Sequence, residues 1–423
     1  MNKLALIWKT KDLRNKILIT IGLLILTRLL THIPIPALSK VDLRGILNQN
    51  QFLNLLDIFS GGGLSTLSIA MLGVGPYITA SIIVQLLTVI IPSWAEMQKE
   101  GGDAGREKLN QYTRYLTIPL ALLQAFGEIR LLQSGQLGSV LPPFTPFEWF
   151  VTLIAVATGT VILMWLGELI TEYGIGNGVS LIIFAGIVAR GPRALQQIIA
   201  LYNPSQLPQI IGFAVAAIII IAAVVIVTEA QRNIPVSYAK HVRGTKTYGG
   251  VNTHLPLRVN QAGVIPIIFA LSILTFPPLV ANFFLNAKSA ALAHFAQAVI
   301  TFFQNQTYKP IMYFILVVVF TYFYTAVVFN PDEISENVQK NGGFIPGMRP
   351  GKQTADYLYK VLNRITTFGA VFLALIAVLP FIFTKFTNSQ SLTIGGTGLL
   401  IVVAVVIETI KAVEAQMVMH NYE

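Results

Sequence analysis

The sequence predicts an all-α membrane protein of ten transmembrane helices in two inverted five-helix halves. Three observations carry this. Of the 423 residues, 54% are hydrophobic and only 11% are charged, against roughly a quarter in soluble domains, which need that charge to cover their surfaces. Ten apolar segments are each long enough to cross about 30 Å of hydrocarbon as a helix. A short motif in the second segment recurs in the seventh.

The segments lie near 17–36, 73–92, 115–133, 149–168, 178–198, 209–228, 260–283, 309–329, 366–384 and 395–415. Most are rich in Ile, Val, Leu and Phe without strict alternation, as in Ala216–Val227. Lipid demands that backbone groups pair internally, and a barrel strand would show period two, so these runs read as helices. Gly and Pro interrupt the starts of the second, fifth and seventh. The first segment follows Lys3, Lys9, Lys11, Arg14 and Lys16. It is too long for the apolar region of a signal peptide and lacks a small-residue cleavage site, so it is expected to stay as an anchor.

Basic residues set the orientation. With both termini on the cytoplasmic side, that side holds five Lys/Arg before the first helix, then Lys99, Arg106, Lys108 and Arg114. It also holds five in 229–259, five in 331–365, and Lys411, together 20 of the 29. The positive-inside rule therefore favours this topology. The same excess, with a formal net charge of +10, suits docking of acidic or nucleic-acid partners. Two of these inner loops are long. Turn signals mark both: Gly249-Gly250 in the first, and Asn341-Gly342-Gly343, Pro346-Gly347 and Pro350-Gly351 in the second. Their mixture of Tyr, His and aliphatic residues favours ordered, protruding docking loops over floppy linkers.

The repeat pairs Gly73-Val74-Gly75-Pro76-Tyr77-Ile78-Thr79-Ala80 with Gly263-Val264-Ile265-Pro266-Ile267-Ile268-Phe269-Ala270. Each copy falls in the second span of a five-span half, so the two cross the membrane in opposite directions. That is an inverted-topology repeat, a plan common among transport proteins. Each Pro removes a backbone donor and marks a helix start or break, which points to the functional centre.

Enzyme signatures are scarce. Gly174-Ile175-Gly176-Asn177-Gly178 lacks the last Gly of a dinucleotide loop, and the chain has neither HExxH nor GxSxG. Five scattered His and no Cys make no metal constellation. Ionisable residues deep in the spans are few: Arg28, Glu128 and Glu408, with Glu168 and Arg190 near enough to helix ends to snorkel. Ion-coupled carriers place carboxylates near the midplane, so the shortage argues against one. A secondary transporter of a small solute remains the alternative to a channel; an intramembrane enzyme has no nucleophile or metal set. Thr79, Ser81, Gln85, Gln124, Asn260 and Thr275 are polar but uncharged, and suit interhelical hydrogen bonds. The stretch Leu56–Leu72 is too polar for a span and too apolar for an exposed loop. Irregular backbone at membrane depth is tolerated where it is buried in protein or lines a cavity, and a re-entrant, pore-occluding segment satisfies that.

Longer motifs carry a family resemblance. They are Phe59-Ser60-Gly61-Gly62, the run from Pro76 to Leu87, the run from Gly174 to Val188, and Thr253 through Pro266. Phe344-Ile345-Pro346-Gly347-Met348-Arg349-Pro350-Gly351 and the run from Gly395 to Val403 complete the set. Over its whole length the chain resembles SecY, the bacterial protein-conducting channel subunit. The resemblance implies two five-helix halves, 1–208 and 209–423, around a central pore. By motif position the pore ring would be Val74, Ile78, Val179, Ile183, Ile268 and Ile401. The plug, 57–72, would include Ser60, Gly61, Gly62, Leu64, Leu67, Ile69 and Leu72. A lateral gate between the second and seventh helices, helped by the third and eighth, would carry Thr79, Gln85, Gln124, Asn260 and Thr275. Arg243, Lys246, Arg258 and Arg349 would serve docking. The implied partners are the small membrane subunits SecE and SecG, the motor ATPase SecA, the ribosome, signal sequences and nascent chains, and the lipid bilayer. No cofactor or metal is implied. The implied location is the bacterial cytoplasmic membrane.

Overall fold

A computed structural model describes residues 10–38, 57, 60–99, 101–133, 141–200, 207–238, 240–243, 246–249, 252–285, 289–305, 307–387 and 395–420. A helix occupies each of the ten apolar segments. In chain order these are α1 (Lys11–Leu30), α2 (Gly75–Ile90), α4 (Gly102–Gln133), α5 (Pro146–Tyr173), α6 (Gly178–Ala200) and α7 (Leu207–Glu229). After the first long loop come α8 (Ile265–Asn282), α10 (Tyr308–Val328), α12 (Lys352–Thr387) and α13 (Gly395–His420). Among the described residues, three shorter α-helices lie between them: α3 (Pro92–Lys99), α9 (Ala290–Gln304) and α11 (Pro331–Lys340).

Helix ends depart from the apolar segments for a physical reason. Hydropathy sees only the part of a helix that meets lipid. Thus α4 begins at Gly102, not near 115, and α12 at Lys352, not near 366. At 36 residues α12 is about 54 Å long, so it extends well beyond the hydrocarbon. Much of the expected loop 331–365 is therefore helix, α11 and the first turns of α12. The second span stops at Ile90, and α3 turns away from it by 108°. Among the ends, α5 shows the clearest local cause. Thr145 caps it with a reciprocal box: Glu148 N donates to Thr145 Oγ1 at 3.3 Å, and Thr145 N donates to Glu148 Oε2 at 2.8 Å.

The repeat is visible in the backbone. Gly73 and Gly263 adopt left-handed φ of +58° and +62°, a region that glycine enters without steric cost. Val74 and Val264 then cap α2 and α8 with the same φ of −94°, and a Pro follows in each first turn. Ile78 N donates to Val74 O at 3.1 Å, and Ile268 N to Val264 O at 3.3 Å.

Packing divides the bundle into two halves that touch along two seams. In one, α2 and α4 lie against α8; in the other, α1 and α6 lie against α13. Between α7 and α8 the chain leaves the bundle as a hairpin. Strands β1 (Gln231–Tyr238) and β4 (Asn252–Arg258) pair antiparallel, from Gln231 opposite Arg258 to Ser237 opposite Asn252. Strands β2 (Lys240–Arg243) and β3 (Lys246–Gly249) continue it outward. The second long loop adds β5 (Gly343–Phe344) to the free edge of β1, Phe344 opposite Ser237. Ile234, Val236 and Leu257 of the hairpin share a small core with Ile345 and with Leu358 and Val361 of α12. The two loops thus form one ordered unit on the end of α12.

Candidate pore, closing segment and lateral seam

The six expected ring residues come from the starts of four helices. Val74 and Ile78 sit at the cap and first turn of α2, Val179 and Ile183 in the first turns of α6, Ile268 in the first turn of α8, and Ile401 early in α13. Five of them are buried in one apolar cluster, and Val179 packs against it. On one side of the cluster lies a cavity of about 400 Å³. Ile78, Val179, Ile183 and Ile268 form part of its wall, and Ser81, Gln85, Asn110, Glu168 and Asn177 give it a polar lining. Arg114 Nε donates to Glu168 Oε1 at 2.8 Å across its rim. Ile265 and Tyr324 line both this vestibule and a second pocket at the foot of the hairpin, beside Arg258.

Residues 60–74 approach the cluster as a knot of turns. Leu64, Leu67, Met71 and Leu72 are buried with Ala121, Ala125 and Ile129 of α4 and Val156 of α5, while Ile69 packs against that group. Ala70 joins the ring cluster together with Val74. The segment is held by backbone bonds to the chain leaving α1: Ile35 N donates to Leu67 O at 3.1 Å, and Ile69 N to Ile33 O at 3.0 Å. Leu67 takes a left-handed φ of +47° to make the turn. Gly159 lets α5 come close, because a Cβ there would lie 2.0 Å from Ile69 O.

The far end of the segment is anchored by charge. Asp57 is buried and pairs with Arg190 Nη2 of α6 at 3.0 Å. Its other oxygen accepts from Ser65 N at 2.8 Å. Arg28 of α1 donates to Gly61 O. Ser60 is buried, and Gly61 and Gly62 have left-handed φ. Residues 58 and 59 of the expected plug lie outside the described residues.

Of the five expected gate residues, the fold brings three together. Thr79 of α2, Gln124 of α4 and Thr275 of α8 line a cavity of about 40 Å³ at the seam. Gln124 Nε2 donates to Thr79 Oγ1 at 3.4 Å. Gln85 instead lines the polar vestibule, and Asn260 lies in the pocket at the hairpin's foot with Glu408 and Lys411. A fourth polar residue, Glu128, joins the seam trio. Its place one turn after Gln124 puts both on one face of α4, a spacing signal that was available in the sequence. Beyond the cavity Phe126 stacks on Phe283, ring centroids 4.7 Å apart.

The expected docking residues distribute over the hairpin unit. Arg258 ends β4 and is exposed. Arg349 is exposed on the turn between Gly347 and Gly351, whose φ values are +84° and +96°. Arg243 and Lys246 are register partners in the β2–β3 pair.

An aliphatic cluster between a polar-lined cavity and a buried segment of turns, set in a bundle of membrane-length helices, is the architecture of a protein-conducting channel. The family model for SecY matches residues 68–410, and the chain belongs to the SecY family. The protein translocase subunit SecY of Streptomyces coelicolor is 44% identical over 98% of this chain and 97% of its own length. The fold is similar to that described in "The structure of a protein conducting channel". There the TM-score is 0.65 at 20% identity, over 95% of this chain and 92% of that one. It is also similar to Sec61 in the canine ribosome-channel complex from the endoplasmic reticulum. That TM-score is 0.62 at 19% identity, over 95% and 92%.

Proposed function

We propose that this chain is the central channel subunit of a bacterial Sec translocon. In this reading it passes unfolded polypeptides across the cytoplasmic membrane and releases transmembrane segments sideways into lipid. The observation that carries the reading is the single cluster holding Val74, Ile78, Ile183, Ile268 and Ile401 between the vestibule and the re-entrant segment. An apolar constriction resists ions by dewetting. It yields to a passing chain of any composition, since dispersion contacts demand no partner geometry.

In the same reading residues 57–72 are the plug, and the seam of α2 and α4 against α8 is the lateral gate. The halves are 1–208 and 209–423, with both termini in the cytoplasm. Thr79 and Gln124, hydrogen-bonded to each other on one side of the seam, face Thr275 on the other. Polar contacts of this kind are worth about 1 kcal/mol each, weak enough for an entering signal helix to displace. The hairpin unit, with Arg243, Lys246, Arg258 and Arg349, docks the ribosome and the SecA motor, and SecE and SecG pack against the bundle. The related canine Sec61 channel was solved on a ribosome. ATP hydrolysis belongs to the motor, because this sequence has no P-loop.

The test is reconstitution of the chain with SecE and SecG in proteoliposomes, with SecA, ATP and a preprotein. Accumulation of protease-protected preprotein is the expected result. Absence of protection, with the same partners active on another SecY, would sink the reading.

A further inference from the structure

Glu128 is an anomaly in this seam. It is 5% exposed, and its Oε2 accepts no hydrogen bond among the described residues. A carboxyl buried without a partner is costly, and an ionisable group inside a membrane span marks a function by default. Among the described residues no cation lines its cavity. The cavity it lines is otherwise formed by apolar residues of the 60–74 segment, α2 and α8 and by the uncharged Thr79, Gln124, Ser272 and Thr275. The nearest basic residue along its own helix, Arg130, is turned away onto the rings of Phe126 and Trp149, 5.2 and 5.0 Å from their centroids.

The cavity, at about 40 Å³, has room for about one water. It lies on the seam where α4 meets α8. At Gly127 the helices come so close that a Cβ would sit 3.1 Å from Leu279 O. Parting α4 from α8 therefore uncovers the carboxyl along the path between pore and lipid.

We propose that Glu128 is a binding site for the basic side chain, Lys or Arg, of a transmembrane segment leaving through this seam. The proposal rests on the channel reading above. A segment entering the opened seam with an ammonium or guanidinium at the depth of Glu128 supplies a charge partner that no described residue lining the cavity supplies. The pair offsets the cost of carrying that cation into the membrane. Thr79, Gln124 and Thr275 offer further hydrogen-bond acceptors around it. The site thereby sets which segments, with a basic residue at which depth, are released into lipid.

The experiment uses the reconstituted channel with its partners and a Leu/Ala segment of about 20 residues, carrying one Lys scanned along its length. The readout is the ratio of insertion of each Lys-bearing segment to that of the Lys-free parent, in the wild-type channel and in Glu128→Gln. The expected result is a peak in the wild-type ratio at one depth, lowered about fivefold in Glu128→Gln. A zero-length carbodiimide should also couple the Lys at that depth, in an arrested chain, to Glu128 of the wild-type channel. Superimposable profiles in the two channels, or no coupling at any depth, would overturn the proposal. Failure of the wild-type channel to insert the parent segment would instead sink the channel reading, and this inference with it.

Discussion

Gly61 and Gly186 meet backbone to backbone: a Cβ built on Gly186 would lie 2.5 Å from Gly61 Cα. The contact seats the 60–74 segment directly on α6, four residues before Arg190. Gly61 has a second constraint, a left-handed φ of +66°. Gly186→Val should therefore lift the segment from its seat. Overpacking of this kind costs about 1–3 kcal/mol, so the resting ion conductance of proteoliposomes should rise about tenfold. Gly191→Ala is the control, since a Cβ at Gly191 meets nothing within 4 Å. Equal conductance in both variants would show that the segment does not seal the pore.

The Asp57–Arg190 pair gives a separate handle on the seating of the same segment. The Asp57 side chain is 1% exposed and that of Arg190 25%. Removing one partner of a buried pair leaves an uncompensated charge, at a cost of about 3–5 kcal/mol. Arg190→Gln should therefore raise resting conductance more than the Asp57→Asn, Arg190→Gln double variant does. A double-mutant cycle on conductance checks this. Additive effects would mean that the ion pair does not hold the segment.

The ten helices were legible because lipid imposes one rule on every span, and long apolar runs obey it. Their ends were not, because α4 and α12 continue as charged helix where hydropathy falls silent. The short helix α9, at 15 residues, is below the length that a spanning criterion detects. The hairpin was legible only as an ordered loop. Its strands owe their pairing to partners distant in sequence, from Ser237 with Asn252 to Gln231 with Arg258, and to β5 from the other loop. Val74 and Ile268 look like any aliphatic residue of a membrane helix, so only motif position singled them out. Which polar residues share the seam depends on how α2, α4 and α8 cross. Thr79, Gln124 and Thr275 meet there, while Gln85, farther along α2, faces the vestibule.

The repeat allows a prediction about the ring. Ile78 and Ile268 occupy equivalent first-turn positions, and both are buried, 6% and 5% exposed. Ile78→Asn and Ile268→Asn each place an amide in an apolar constriction, where leaving it dry and unpaired costs about 1–3 kcal/mol. Water entering to satisfy the amide should open the constriction to ions. Both variants should raise conductance to a similar degree. Leu274→Asn, buried on α8 beyond the first turns, should raise it less. An equal rise at Leu274 would remove Ile78 and Ile268 from any special role in the seal.

The pairing of Ser237 with Phe344 ties the two long loops into one unit, and so fixes the turn that presents Arg349. That turn is shaped by left-handed Gly347 and Gly351, and Thr354 Oγ1 donates to Arg349 O at 3.0 Å. The backbone is thus set without help from the Arg349 side chain, which is exposed. Arg349→Glu should leave folding intact, since exposed substitutions shift stability by about 0.5 kcal/mol or less. If the turn docks an acidic partner surface, reversing its charge should slow motor-driven translocation about tenfold through the encounter step. Arg349→Lys should retain most of the rate, and higher salt should narrow the gap between wild type and Arg349→Glu. Protease-protected preprotein against time, at two salt concentrations, measures all three. Full translocation by Arg349→Glu at low salt would remove this turn from the docking face.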